Sequence, residues 1–109
     1  MNLLNLQKTI VKTDVKIIKI TEVENCAEGS VGYDIYFNQN IDLNFAEYLG
    51  QLGKYIFDES FEKAFFKVIV RGYYTLKGSI GNDNLRILVP ETISKEIINE
   101  FCEYLEKYQ

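Results

Sequence analysis

The sequence predicts an α+β protein: a two-layer sandwich with a four-stranded, mainly antiparallel sheet and both helices on one face. Three observations support this prediction. Several runs alternate apolar and polar residues as strands do, two runs place apolar residues at helical spacing, and the tetrapeptide Gly-Ser-x-Gly occurs at 29–32 and again at 78–81. Each half of the chain then has the order strand, strand, helix. We therefore expect two ββα units, at about 12–57 and 62–109, in a single domain spanning 1–109.

The first half begins with a predicted strand over 14–23, which is rich in Val and Ile. The adjacent Ile17 and Ile18 break its alternation and indicate a bulge. Before it, residues 3–11 are consistent with a short N-terminal helix or with an extension of the strand. After a turn over 25–30, residues 31–37 alternate cleanly, and Ile35 and Phe37 belong to the face that is expected in the core.

A helix is predicted over about 41–56, because apolar residues recur there every three to four positions. Asn40 or Asp42 is suited to cap its first turn. Gly50 and Gly53 lie within it, and each should cost roughly 1 kcal/mol relative to alanine. Two explanations remain open for these glycines: close packing of the helix on the sheet, or the approach of a ligand or partner backbone.

The second half is predicted to be a hairpin followed by a helix. A long strand over 64–76 leads into a turn at 78–84 and a strand over 85–89, which Pro90 ends. Thr92 is a suitable N-cap for a C-terminal helix whose apolar side includes Ile97, Phe101 and Leu105. The opposite side carries Glu96, Glu100 and Glu103, a pattern typical of a solvated face that could also dock a basic partner.

Composition limits the chemistry that the chain can support. There is no histidine, so catalysis by a His-activated serine or cysteine and histidine-based metal sites are excluded. Cys26 and Cys102 are too few for a thiolate metal cage, and both are expected to be free thiols. No catalytic residue, metal ligand or cofactor is predicted. No segment suggests a signal peptide or a membrane span, so a cytoplasmic protein is expected, and the net charge of −4 disfavours nucleic acid.

One predicted face of the sheet has a composition that suggests binding. The residues expected on it mix basic, aromatic and aliphatic side chains: Tyr36, Lys67, Ile69, Arg71, Tyr73, Arg86 and Leu88, with Asp34 and Lys77 beside them. A sheet face that meets only water would carry fewer large apolar groups. Three partners fit this face: a second copy of the chain, another protein, or single-stranded nucleic acid stacked on Tyr36 and Tyr73.

These observations lead to a leading hypothesis and two alternatives. The leading one is a small non-catalytic binding or regulatory protein, homodimeric through the open sheet face. The first alternative is a small enzyme or ligand binder with a carboxylate, tyrosine and lysine pocket between helices and sheet, suggested by Gly50 and Gly53. The second is binding of single-stranded nucleic acid.

Overall fold

The computed structural model describes residues 15–23, 29–60 and 62–108. These residues form a six-stranded antiparallel sheet and two α-helices. The strands are β1 (Ile17–Val23), β2 (Ser30–Phe37), β3 (Lys54–Asp58), β4 (Phe65–Val70), β5 (Tyr74–Ser79) and β6 (Asn84–Pro90). The helices are α1 (Leu43–Gly50), between β2 and β3, and α2 (Ser94–Glu106), which follows β6 and a short 3-10 turn (Glu91–Ile93).

The spatial order of the strands is β1-β2-β6-β5-β4-β3. The chain therefore forms one hairpin, passes through α1 to the far edge of the sheet, and returns as a four-stranded meander. The last strand of this meander, β6, pairs along its whole length with β2, from Ser30 opposite Pro90 to Tyr36 opposite Asn84. This pairing joins the first hairpin to the meander in one continuous sheet.

The prediction of a four-stranded sheet built from two ββα units is wrong. The helix predicted over 41–56 ends at Gly50, and the residues that follow Gly53 form the edge strand β3. The strand predicted over 64–76 is divided by a turn at 71–73, where Gly72 has a positive φ of 85°. The helices are not an equivalent pair over one face either, because α1 contacts β3 and β4 whereas α2 contacts β6.

The two Gly-Ser-x-Gly segments occupy different positions in the fold. Gly29 lies in the turn before β2 with a φ of 80°, and Gly32 is buried within that strand. In the second segment the order is reversed: Gly78 lies within β5, and Gly81 lies in the turn after it with a φ of 94°. One glycine of each segment thus serves a turn, as predicted, but the first segment begins a strand and the second ends one.

The core consists of apolar side chains from the sheet and from both helices. Its sheet component includes Ile35, Phe66, Val68, Leu76 and Ile87, each fully buried. The predicted helical contacts Ile97, Phe101 and Leu105 are buried as expected, and the part of the chain that the structure describes has no buried polar or charged residue. Burial of this apolar surface is the main favourable contribution to folding.

Of the features predicted near the helix and strand ends, a cap, a bulge and a strand end are confirmed and one cap is wrong. The Asp42 carboxylate accepts a hydrogen bond from the Phe45 backbone N–H (2.8 Å), which confirms one of the two predicted caps of α1. The predicted bulge is confirmed by a register shift between Ile17 and Lys19, and β6 ends at Pro90. Thr92 was a wrong prediction, because α2 begins at Ser94 after the 3-10 turn, and no side-chain hydrogen bond caps it.

Several predictions lie outside the described residues. They are the short N-terminal helix over 3–11, most of the turn over 25–30, and the state of Cys26. Cys102 is a free, half-buried cysteine, and burial together with the nearby Glu106 raises the pKa of its thiol. In the described part of the chain, neither helix has the length and apolar character needed to cross a membrane.

Candidate functional site

The strand residues that alternate with the core residues form the polar face of the sheet. Side chains at successive strand positions point to opposite sides, so the buried Ile35, Leu76 and Ile87 define the opposite side. The polar face consists of Lys19, Thr21, Val23, Ser30, Gly32, Asp34, Tyr36, Lys54, Ile56, Asp58, Phe65, Lys67, Ile69, Thr75, Lys77, Ser79, Asn84, Arg86, Leu88 and Pro90. Because the register of every strand pair is known, these residues fall into rows across the sheet.

The central row of the polar face is strongly basic. Asp34 lies opposite Arg86, Arg86 opposite Lys77, and Lys77 opposite Lys67. Thr21 and Ile56 complete the row on the two edge strands. Neighbouring strands are about 4.8 Å apart, so three cations succeed one another over about 10 Å.

Arg86 is held in place by Asp34 through a two-point ion pair. Its Nε donates to Oδ1 of Asp34 (2.8 Å) and a terminal guanidinium nitrogen donates to Oδ2 (3.0 Å). The arginine side chain is 46% exposed and the aspartate 14% exposed. The pair thus fixes the direction of the guanidinium on the polar face.

The two lysines of the central row lack such a partner. Among residues 15–23, 29–60 and 62–108, no carboxylate lies within ion-pair distance of Lys67 or Lys77. Like charges directly opposite each other on neighbouring strands destabilise a sheet. This local cost is offset if an anionic group binds across the row. The central row is therefore the candidate site.

An apolar row runs beside the central row and is offset from it by two positions on each strand. Leu88 lies opposite Thr75, and Thr75 lies opposite Ile69. Val23 and Gly32 continue this row toward β1. Leu88 and Ile69 are only half-buried, so they offer aliphatic surface next to the cations. A partner that contacts both rows would bury apolar surface and pair with the cations of the central row at the same time.

The central row forms part of the lining of an open groove of about 1030 Å³. Four basic and two acidic residues line it, together with polar side chains of the β5–β6 turn: Asp34, Glu62, Lys63, Phe65, Lys67, Lys77, Gly78, Ser79, Asn82, Asn84 and Arg86. The Lys63 ammonium donates to the Asn82 side-chain oxygen (2.8 Å), which draws it toward the groove wall. Beyond the central row the groove adds one cation, Lys63, and one carboxylate, Glu62, so its basic character comes from the row itself.

The structure separates the residues that were predicted to form one binding face. Tyr36, Lys67, Ile69, Arg86 and Leu88 do lie on the polar face. Arg71 and Tyr73 lie instead in the turn between β4 and β5, where Tyr73 is 57% exposed. Tyr36 is approached by the Lys19 ammonium, 4.6 Å from the centre of its ring. The two tyrosines therefore do not form an adjacent stacking pair.

The glycines that suggested a ligand pocket are explained by contacts within the chain. A Cβ atom on Gly50 would lie 2.7 Å from Cγ of Tyr55, and one on Gly53 would collide with the carbonyl oxygen of Ile69. Both positions need glycine because α1 turns sharply into β3 against the sheet. The close-packing explanation accounts for both residues without a ligand.

Comparison with other proteins adds no relationship to this geometry. No protein-family model matches the chain, and searches of curated proteins and of solved structures also found no match. The residues of the polar face are therefore interpreted from their own chemistry.

Sequence reasoning missed several residues of the site because they depend on strand order. Lys63, Ser79, Asn82 and Asn84 enter the groove only once β4, β5 and β6 lie side by side. Their types, mostly small polar residues near a turn, are typical of ordinary connections. The register of the β5–β6 hairpin was the one signal that could have placed Asn84 and Ser79 beside Arg86.

Proposed function

We propose that this protein is a non-catalytic binding protein that acts by contact with another protein chain through its polar face, and that the partner is a second copy of itself. The observation that carries the proposal is the basic central row lying directly beside the half-buried Leu88 and Ile69. Interface centres commonly combine arginine with apolar side chains that lose contact with water on binding.

The charge distribution of the whole chain supports its own copy as the partner. The net charge is −4, yet the residues that line the groove containing the central row include four basic and two acidic side chains. The acidic residues are therefore concentrated on other surfaces of the same molecule. Such segregation favours association of unlike surfaces and steers the encounter over long range.

The experiment that tests the proposal removes the apolar row. Replacing Ile69 and Leu88 by aspartate introduces two charges where a partner would exclude water, so self-association should weaken roughly tenfold or more. The measurement is sedimentation velocity over a range of protein concentrations, with circular dichroism to show that the variant is folded.

A matched control distinguishes an effect of the polar face from the effect of replacing any exposed apolar residue by aspartate. Ile18 is 66% exposed and lies at the bulge of the edge strand β1, away from the two rows. Ile18→Asp should leave self-association as in the unmodified chain. If the Ile69→Asp, Leu88→Asp variant associates as strongly as this control, the polar face is not the contact surface.

A further inference from the structure

The acidic side of α2 complements the central row in charge and in length. Glu96, Glu100 and Glu103 follow one another at i, i+4 and i+7, and all three are exposed. We infer that the polar face of one molecule binds α2 of a second copy, with these glutamates against Lys67, Lys77 and Arg86. The inference rests on the proposed function and names the surface that the face recognises.

The spacing of the two sets of charges agrees closely. A helix rises about 1.5 Å per residue, so the backbone positions of Glu96 and Glu103 are about 10.5 Å apart along the axis. Three neighbouring strands place Arg86 and Lys67 about 10 Å apart, with Lys77 between them. A helix laid across the strands therefore brings each glutamate near one cation.

Direct pairing of two polar faces is the less favourable arrangement. Each central row holds three cations and the single carboxylate of Asp34, which already pairs with Arg86. Two such rows pressed together would have six cations for two carboxylates. Burial of like charges opposes association, whereas the glutamates of α2 supply one carboxylate for each cation.

The contact joins two different surfaces, so it is head-to-tail. When two copies bind, the pair keeps one unused polar face and one unused α2, and a third copy can add at either end. Exposed ion pairs are individually weak and are screened by salt. Association on the order of micromolar affinity or weaker is expected, and it should decrease as salt rises from about 0.05 to about 0.5 M.

The test uses two charge-reversed variants and their mixture. The row variant carries Lys67→Glu and Lys77→Glu, and the helix variant carries Glu100→Lys and Glu103→Lys. In sedimentation velocity the unmodified chain should associate with concentration, while each variant alone should sediment as a monomer. An equimolar mixture should associate again, because the intact face of the helix variant meets the intact α2 of the row variant, and the reversed face and the reversed helix are also opposite in charge.

Two controls match the charge changes at other positions. Lys16→Glu with Arg71→Glu alters net charge as the row variant does, and Glu22→Lys with Glu47→Lys matches the helix variant; all four residues are exposed and lie outside both the central row and α2. Both should associate nearly as the unmodified chain does. If the row variant loses its circular dichroism spectrum, Lys67→Gln with Lys77→Gln removes the same cations more gently, and it should weaken association at least several-fold.

The possible results separate the inference from the proposed function. Self-association of the helix variant, together with loss of association in the row variant, would overturn the inference and retain the polar face as a surface that pairs with itself. A row variant that associates like the unmodified chain would overturn both. An unmodified chain that stays monomeric at every concentration would also overturn both.

Discussion

Gly53 is the residue with the least room for change near the α1–β3 connection. A Cβ atom added to Gly53 would collide with the carbonyl oxygen of Ile69 and would lie 3.1 Å from Cα of Val70. Gly53→Ala should therefore lower the free energy of unfolding by about 1–3 kcal/mol, since backbone atoms of β4 would have to move. Urea unfolding measures the change.

Gly72 provides the comparison for this prediction. It has a positive φ of 85° but open space where a side chain would project. Asparagine tolerates that backbone conformation, so Gly72→Asn should cost less than about 1 kcal/mol. The explanation by steric collision fails if Gly53→Ala is the milder of the two substitutions.

Tyr74 should make the free energy of unfolding depend on pH in the alkaline range. Burial, with the nearby Tyr104 and Glu100, raises the pKa of its hydroxyl to about 12. An unfolded tyrosine has a pKa of about 10, so the unfolded chain releases this proton first. The stabilisation is complete below pH 10 and decreases as pH rises toward 12.

The pH dependence is checked by urea unfolding at intervals from about pH 8 to about pH 12. Tyr74→Phe should make the decline above pH 10 less steep, because it removes one of the groups that release their protons at a higher pH in the folded state. A Tyr74→Phe profile as steep as that of the unmodified chain would contradict the assignment.

At the scale of elements, the two helices are joined by a reciprocal tyrosine contact. The Tyr48 hydroxyl donates to the Tyr104 carbonyl (2.6 Å), and the Tyr104 hydroxyl donates to the Tyr48 carbonyl (2.7 Å). Their rings stack with centroids 4.4 Å apart. Because each residue is both donor and acceptor, the contact ties the middle of α1 to the last turns of α2.

Removing either hydroxyl should destabilise the protein by about 1 kcal/mol, since one carbonyl then keeps its backbone N–H donor but loses its hydroxyl donor. The double variant Tyr48→Phe, Tyr104→Phe should differ from the sum of the single variants by at least about 0.5 kcal/mol, because the two bonds share one geometry. Chemical unfolding of the four proteins measures this coupling. Simple additivity would mean that the two bonds act independently.

Elements with a strong local pattern were predicted from the sequence, and those fixed by tertiary contacts were not. The alternation of β2, the bulge of β1 and the apolar side of α2 are properties of short segments. The strand β3 was taken for helix because Ile56 continues a helical spacing from Leu49 and Leu52. The two glycines before it, and the β-forming Tyr55 to Phe57, were the opposing signal.

At the scale of the whole molecule, the candidate site depends on strand order. Lys67, Ile69, Arg86 and Leu88 lie on one face of the sheet, because alternation along each strand decides the face of a residue. That Lys67, Lys77 and Arg86 are neighbours across the sheet could not be predicted, since it requires β4, β5 and β6 to be adjacent. The acidic side of α2 is instead a local pattern, because its glutamates recur at helical spacing.

The turn at 71–73 determines which side chains of β5 reach solvent. With three residues between β4 and β5, Leu76 lies in the core opposite Val68, and Lys77 lies opposite Lys67. An inserted or deleted residue that left the turn at three residues would shift the pairing by one position and bring Lys77 into the core. The length of this exposed segment is therefore linked to the core, and we expect sequence drift there to proceed by substitution and not by insertion or deletion.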